Sequence, residues 1–191
     1  MKRQFIKHDG TKIPDVLDYM KYYMSDSNGQ IKYEIFVGCD SQVNNKHTMY
    51  SVVIGMHKIV DDIGRGVHII HTRERDVKLG EDKGSIFKRL WNEVERIVET
   101  ALFLSDNGIR IDDIGTHVDA NIKKQYASNM IYDSAIGYLN SLKITCYECD
   151  GSGYVGKKEC PKCEGKGVVG FKVEGKPYAW AATYAANRYC R

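Results

Sequence analysis

The stretch "FVGCDSQV", residues 36–43, runs through apolar residues and then stops on Asp40, Ser41 and Gln42. Its β-branched and aromatic residues read as a strand entering a core. A bare carboxylate at the end of such a strand is costly unless a hydrogen bond, a cation or a metal ion balances it. The rest of the chain is read for whatever meets Asp40.

Outward from this strand the pattern is regular. Residues 13–24 read as a helix, with Pro14 in the first turn, Asp15 at the positive end of the dipole, and Ile13, Val16, Leu17 and Met20 as one apolar stripe. "SDSNGQ" breaks it. "KYEIFVGCD", "HTMYSVVIGMHKIV" and "VHIIHTRERDV" are strands, separated by turns at "NNK" and "DDIGRG". Three strands on short turns form an antiparallel meander. A long helix over residues 85–104 carries Ile86, Leu90, Val94, Ile97, Val98 and Ala101 on one face. A short strand in "DDIGTHVDAN" follows, then a helix over residues 125–139, a cysteine-rich segment, a strand near "VVGFKVEG", and a last helix opening at Pro177. Helical crossovers make the later strands parallel. The fold class expected is α/β: a mixed sheet flanked by helices.

Composition sets wide limits. The 191 residues suffice for one sizeable domain with a small appendage, and the net charge of +3 permits a nucleic-acid partner without arguing for one. No run is apolar enough for a membrane span, and "MKRQFIKHDG" lacks the apolar run of a secretory signal. A cytoplasmic location is the expectation.

Asp119 ends the fourth strand in "THVDAN", on the same face as His117. If the first and fourth strands are neighbours, Asp40 and Asp119 meet near the sheet centre, and a divalent cation is the usual remedy for that repulsion. A third acid can come from the long helix. Glu93 borders its apolar stripe, whereas Glu95 and Glu99 fall toward solvent. The plain alternatives are that each Asp caps a turn and each Glu faces water.

"FVGCDSQV", "HVDAN" and "KPYAWAATYAANRY" together resemble the YkuK family of RNase H-like proteins, from about Ile31 to Arg188 with the cysteine segment excepted. The resemblance implies a five-stranded sheet of order 3-2-1-4-5, with Asp40 and Asp119 on its two central strands. It implies carboxylates at those places and on the first helix after the meander, holding two Mg²⁺ or Mn²⁺ ions roughly 4 Å apart for phosphodiester hydrolysis. Asp40 would then be the shared metal ligand. The substrate class implied is RNA or an RNA-containing duplex. The family pattern also places an acid near the last helix, but "KPYAWAATYAANRY" has none, and Tyr178 stands where an acid often follows Lys-Pro. Asn187 offers a neutral oxygen there, as does water; capping or packing are its other roles. This departure keeps a second reading open, a non-catalytic nucleic-acid-binding or protein-adaptor module.

"CYECDGSGYVGKKECPKCEGKG" contains C-x-x-C-x-G-x-G twice, placing Cys146, Cys149, Cys160 and Cys163 as ligands for one tetrahedral, structural Zn²⁺. The repeat resembles half of the DnaJ-type cysteine-rich domain. Lys157, Lys158, Lys162 and Lys166 would offset the cluster's net charge and form a basic rim, suited to nucleic acid or a protein partner. Cys39 reads as a core residue and Cys190 carries no signal. The organisation expected is an N-terminal helical extension (1–30) and an RNase H-like domain (31–191) holding the zinc insertion (144–168).

Overall fold

The computed structural model describes residues 3–25 and 31–190. Its main sheet has six strands: β1 (Ile6–Lys7), β2 (Ile31–Val43), β3 (His47–Val60), β4 (Ile63–Val77), β5 (Ile114–His117) and β10 (Lys172–Glu174). Their spatial order is β1-β4-β3-β2-β5-β10. Without β1 this is the expected 3-2-1-4-5 arrangement. β1 pairs antiparallel with β4 at the edge, and Phe5, Ile13 and Met20 are buried in the main core. The N-terminal segment therefore adds a strand as well as the expected helix, α1 (Val16–Tyr23). Asp15 caps α1, accepting from the amides of Leu17 and Asp18. The break expected at 25–30 lies, beyond Ser25, outside the described residues.

The meander turns are tight. Asn44 Oδ1 accepts from the amides of Lys46 and His47 to hold the "NNK" turn. The second turn is shorter than expected. Asp61 and Asp62 take φ of 52° and 58°, a two-residue type I′ geometry, so the strand starts at Ile63 rather than Val67.

Along β2, odd residues Ile35, Val37 and Cys39 enter the main core with α1, α2 (Lys83–Asp106) and α3 (Asn129–Ser141). Phe36, an even residue, faces the terminal helical segment, where Ala181, Ala185 and Ala186 form a second cluster with Val53 and Trp180. That segment is a π-helical turn, Ala181–Ala186, continuing into α4 (Asn187–Cys190). It begins later than expected, because Lys176 to Tyr178 form a turn and Pro177 precedes the helix. Two sheet glycines admit it: a Cβ on Gly38 would lie 2.4 Å from the Ala182 nitrogen, and one on Gly55 2.6 Å from the Trp180 ring.

The cysteine segment is closed at its base by β6 (Lys143–Thr145) against β9 (Val168–Gly170), and its tip is the hairpin β7 (Tyr154–Val155) and β8 (Lys158–Glu159). The single strand expected near "VVGFKVEG" is thus two: β9 closes the insertion and β10 joins the main sheet. The helix expected at 125–139 is α3, four residues later at its start. Among the described residues no helix is long and apolar enough to cross a membrane.

Candidate functional site

β2 and β5 run parallel, paired from Ile35↔Ile114 to Gly38↔His117. Carried two residues further, this register sets Asp119 level with Asp40. On the other side β10 pairs Glu174 with His117, so the same extension sets Lys176 level with Asp119. Asp119 lies just past β5 rather than in it. Asp40 lies inside β2, which continues to Val43 because Ser41 to Val43 still pair with β3, rather than stopping at the acid as the sequence suggests. The row Asp40, Asp119, Lys176 therefore crosses β2 and the residues just past the carboxyl ends of β5 and β10.

Each acid has a defined neighbour. Asn187 Nδ2 donates to Asp40 Oδ2 at 2.8 Å, and Cys190 Sγ donates to the Asp40 carbonyl at 2.9 Å. Asp119 Oδ1 accepts from Thr183 Oγ1 at 3.0 Å and pairs with Lys176 Nζ at 2.6 Å. Glu93 rises from α2 and is only 3% exposed, while Glu95 and Glu99 are not in the buried face. Ser41 Oγ donates to Glu93 Oε1 at 2.5 Å, and Arg89 Nη1 lies 3.7 Å from the same oxygen and donates to Ser41 Oγ at 2.9 Å. Strand alternation explains the split: Asp40 turns to the terminal helix, and Ser41 turns to α2 and Glu93.

The electrostatics of the acids are coupled. Burial raises the Glu93 carboxyl well above its ordinary range, the Asp40 charge adds to this, and Ser41 and Arg89 oppose it. Burial also raises Asp40, with the Asn187 hydrogen bond acting against it and the Asp119 charge adding to it. Hard carboxylate oxygens in this condition suit a divalent cation, which would relieve both groups. The fit is in charge and donor type. Asp40, Glu93 and Asp119 are spaced more widely than the four thiols described below.

His117 organises the terminal segment. It is fully buried, and burial lowers its pKa to about 4. The Ala181 amide donates to its Nδ1 at 3.1 Å, so its proton sits on Nε2, 3.2 Å from Glu174 Oε2. A neutral His117 thus anchors the start of the helix that delivers Thr183 and Asn187. Sequence reasoning misses Ser41, Arg89, Lys176 and Thr183. Ser41 stands inside the first quoted motif, Lys176 and Thr183 inside the last, and Arg89 is one turn before Glu93.

At the cysteine insertion, the sulfurs of Cys146, Cys149, Cys160 and Cys163 all lie within 4.8 Å of one another and are buried. Cys146 and Cys160 Sγ are 3.9 Å apart, and Cys149 and Cys163 Sγ 3.7 Å. Zinc–sulfur bonds of about 2.3 Å in a tetrahedron put sulfurs roughly 3.8 Å apart, so this buried four-cysteine cluster could bind zinc. The two halves match. Gly153 and Gly167 amides donate to Cys149 and Cys163 Sγ at 3.3 and 3.2 Å, and the two glycines have φ of 78° and 71°. The lysine rim is smaller than expected: Lys162 pairs with Asp112, and Lys166 with Glu164 at 2.7 Å. Asp112 precedes β5, so the insertion docks at the opposite end of that strand from Asp119.

The sheet order, the crossover helices and the acids in line with the two central strands define an RNase H-like α/β protein. A family model described as Ribonuclease H-like matches residues 15–148, well over half the chain, and the chain belongs to that family, the YkuK family. The match takes in Asp40, Glu93 and Asp119 and stops inside the cysteine segment. No curated protein and no solved structure matches the chain.

Proposed function

We propose that the chain is a divalent-metal-dependent nuclease that hydrolyses phosphodiesters of RNA or an RNA-containing duplex. The observation that carries this reading is the placement of Asp40, within β2, level with Asp119 just past β5, with buried Glu93 close enough for each charge to disfavour the next. Asp40, Glu93 and Asp119 would hold Mg²⁺ or Mn²⁺. Two such ions, when bound, supply activation of the attacking water and stabilisation of the leaving oxygen. Asn187 orients Asp40, Thr183 orients Asp119, and Ser41 with Arg89 orients Glu93. Zinc held by the four cysteines is structural on this reading, since all four ligand positions are filled. Four cysteines gathered as metal ligands rather than paired as disulfides suit a reducing cytoplasm.

A second reading, a nucleic-acid-binding module without catalysis, draws on the Lys176–Asp119 ion pair and on Asn187 where the family pattern places an acid. One experiment separates them. Purified protein is incubated with labelled RNA, DNA and RNA–DNA hybrid, in Mg²⁺, in Mn²⁺ and in chelator. Metal-dependent cleavage lost in Asp40→Asn supports the nuclease. Binding without cleavage in any metal refutes it.

A further inference from the structure

A cleft of about 280 Å³ opens beside Asp119, and it shares two walls with that carboxylate: Lys176 and Thr183, both of which contact Asp119 directly. The remaining wall carries large side chains turned to solvent. Tyr184 is 71% exposed, Ile122 63% and Tyr126 47%, and the exposed Lys123 lies among them. Tyr184 leaves the terminal helix one residue after Thr183, and Tyr126 comes from the loop before α3, so two separate elements present their rings to one space.

We propose that this cleft is a subsite for one unpaired nucleotide of a single-stranded nucleic acid, its base stacked on Tyr126 and Tyr184 and its phosphate on Lys123. The proposal rests on the nuclease or binding reading above and narrows its substrate from RNA or an RNA-containing duplex to a strand with an unpaired base at Asp119. Size argues for this. Drug-sized ligands fill clefts of roughly 300–1,000 Å³, so this cleft takes one base with its sugar and not a base pair with its backbone. Chemistry argues for it as well. Exposed aromatic faces beside lysines are the combination that holds single strands, because every base has a face to stack and every nucleotide a phosphate to pair. A nucleotide seated there would place its backbone beside the acids that the proposed hydrolysis uses.

The test is equilibrium binding by fluorescence anisotropy in chelator, so that cleavage plays no part. The probes are a labelled oligouridylate, the same length of RNA–DNA hybrid, and a labelled oligothymidylate. The single strands should bind more tightly than the hybrid. Tyr126→Ala and Tyr184→Ala should each weaken single-strand binding by about 5- to 150-fold, the range that one lost stacking contact gives. Tyr126→Phe and Tyr184→Phe, which keep the ring, should bind as the wild type does and guard against a folding defect. Lys123→Ala should lower the slope of log affinity against log salt by about 0.7. Equal affinity for hybrid and single strand, or alanine variants that are folded and bind like the wild type, would overturn the subsite. Tyrosine-dependent binding by a protein that cleaves nothing would support the subsite while refuting the nuclease.

Discussion

Gly38→Ala adds a single methyl group where the terminal helix crosses β2. The new Cβ would lie 2.4 Å from the Ala182 nitrogen and 2.5 Å from the Ala181 carbonyl carbon. Both are buried backbone atoms, so no side chain can swing aside. Ordinary contact begins near 3.4 Å, and the helix must therefore retreat by about 1 Å. Overpacking of this kind costs about 1–3 kcal/mol. At about 2–4 °C per kcal/mol for a chain of this size, the melting temperature should drop by roughly 2–12 °C. The same retreat draws Asn187 from Asp40 and Thr183 from Asp119, and a 1 Å misplacement at a reacting centre costs about 10²-fold in rate. Thermal melts followed by circular dichroism, with single-turnover cleavage of a labelled oligonucleotide, measure both effects. Gly55→Ala is the control. Its Cβ meets the edge of the half-buried Trp180 ring at 2.6 Å, and a ring can rotate, so its cost should be smaller. A Gly38→Ala protein that melts with the wild type, or a larger loss in Gly55→Ala, would refute the close seating of helix on sheet.

Asp40→Asn and Asp119→Asn should each abolish cleavage, and metal-free Asp40→Asn should melt no lower than wild type, since burial and Asp119 already disfavour that charge. Glu93→Gln should be equally inactive, whereas Glu95→Gln and Glu99→Gln should cleave normally in the same assay. A raised Glu93 pKa means the native state holds that proton where the unfolded chain has lost it, so this contribution to metal-free stability is present at low pH and lost as pH rises through the native value. Buried His117 and His71, both lowered to about 4, act oppositely and remove stability as pH falls from about 6.5 to about 4. The Glu93 contribution is therefore read as the difference between wild-type and Glu93→Gln denaturation curves across pH, a difference that Mg²⁺ should shrink. Replacing residues 146–167 by a short glycine-serine linker should leave a folded protein without zinc by metal analysis, because Thr145↔Val168 already brings the ends together. Cleavage of a short oligonucleotide should survive, as the insertion docks on Asp112 at the far end of β5; its loss would place the insertion at the site.

The meander, the crossovers and Glu93 are legible in the sequence because each rests on local periodicity. The apolar stripe of α2 has only one edge acid that can point inward, and that acid is the buried one. The cysteine pairs are legible because each C-x-x-C-x-G-x-G repeat is local: its turn brings two thiols together and its glycine frees the backbone to fold round a sulfur. Lys176 is not. Its ammonium reaches Asp119 only because β10 pairs with β5 in one register, a fact of long-range pairing that no window of sequence contains. Ser41 and Arg89 likewise depend on how α2 lies along β2. The start of the last helix differs from expectation for a local reason. Proline favours a first helical turn, but here it sits in the turn that precedes Ala179 and the His117-anchored amide of Ala181.

The π-helical turn at Ala181–Ala186 sets the angular phase of everything after it. An α-helix advances about 100° per residue. A π turn accommodates one residue more than an α turn, so tightening it by one alanine would turn Asn187 by about that angle relative to Thr183. One of the two side chains could then still reach its aspartate, but not both. The wide turn works as a vernier between two strands: it sets Thr183 on the β5 acid and Asn187 on the β2 acid at once. Length in this segment is therefore under tighter constraint than identity. An alanine-to-serine exchange in this buried turn should cost less than deletion of a single residue.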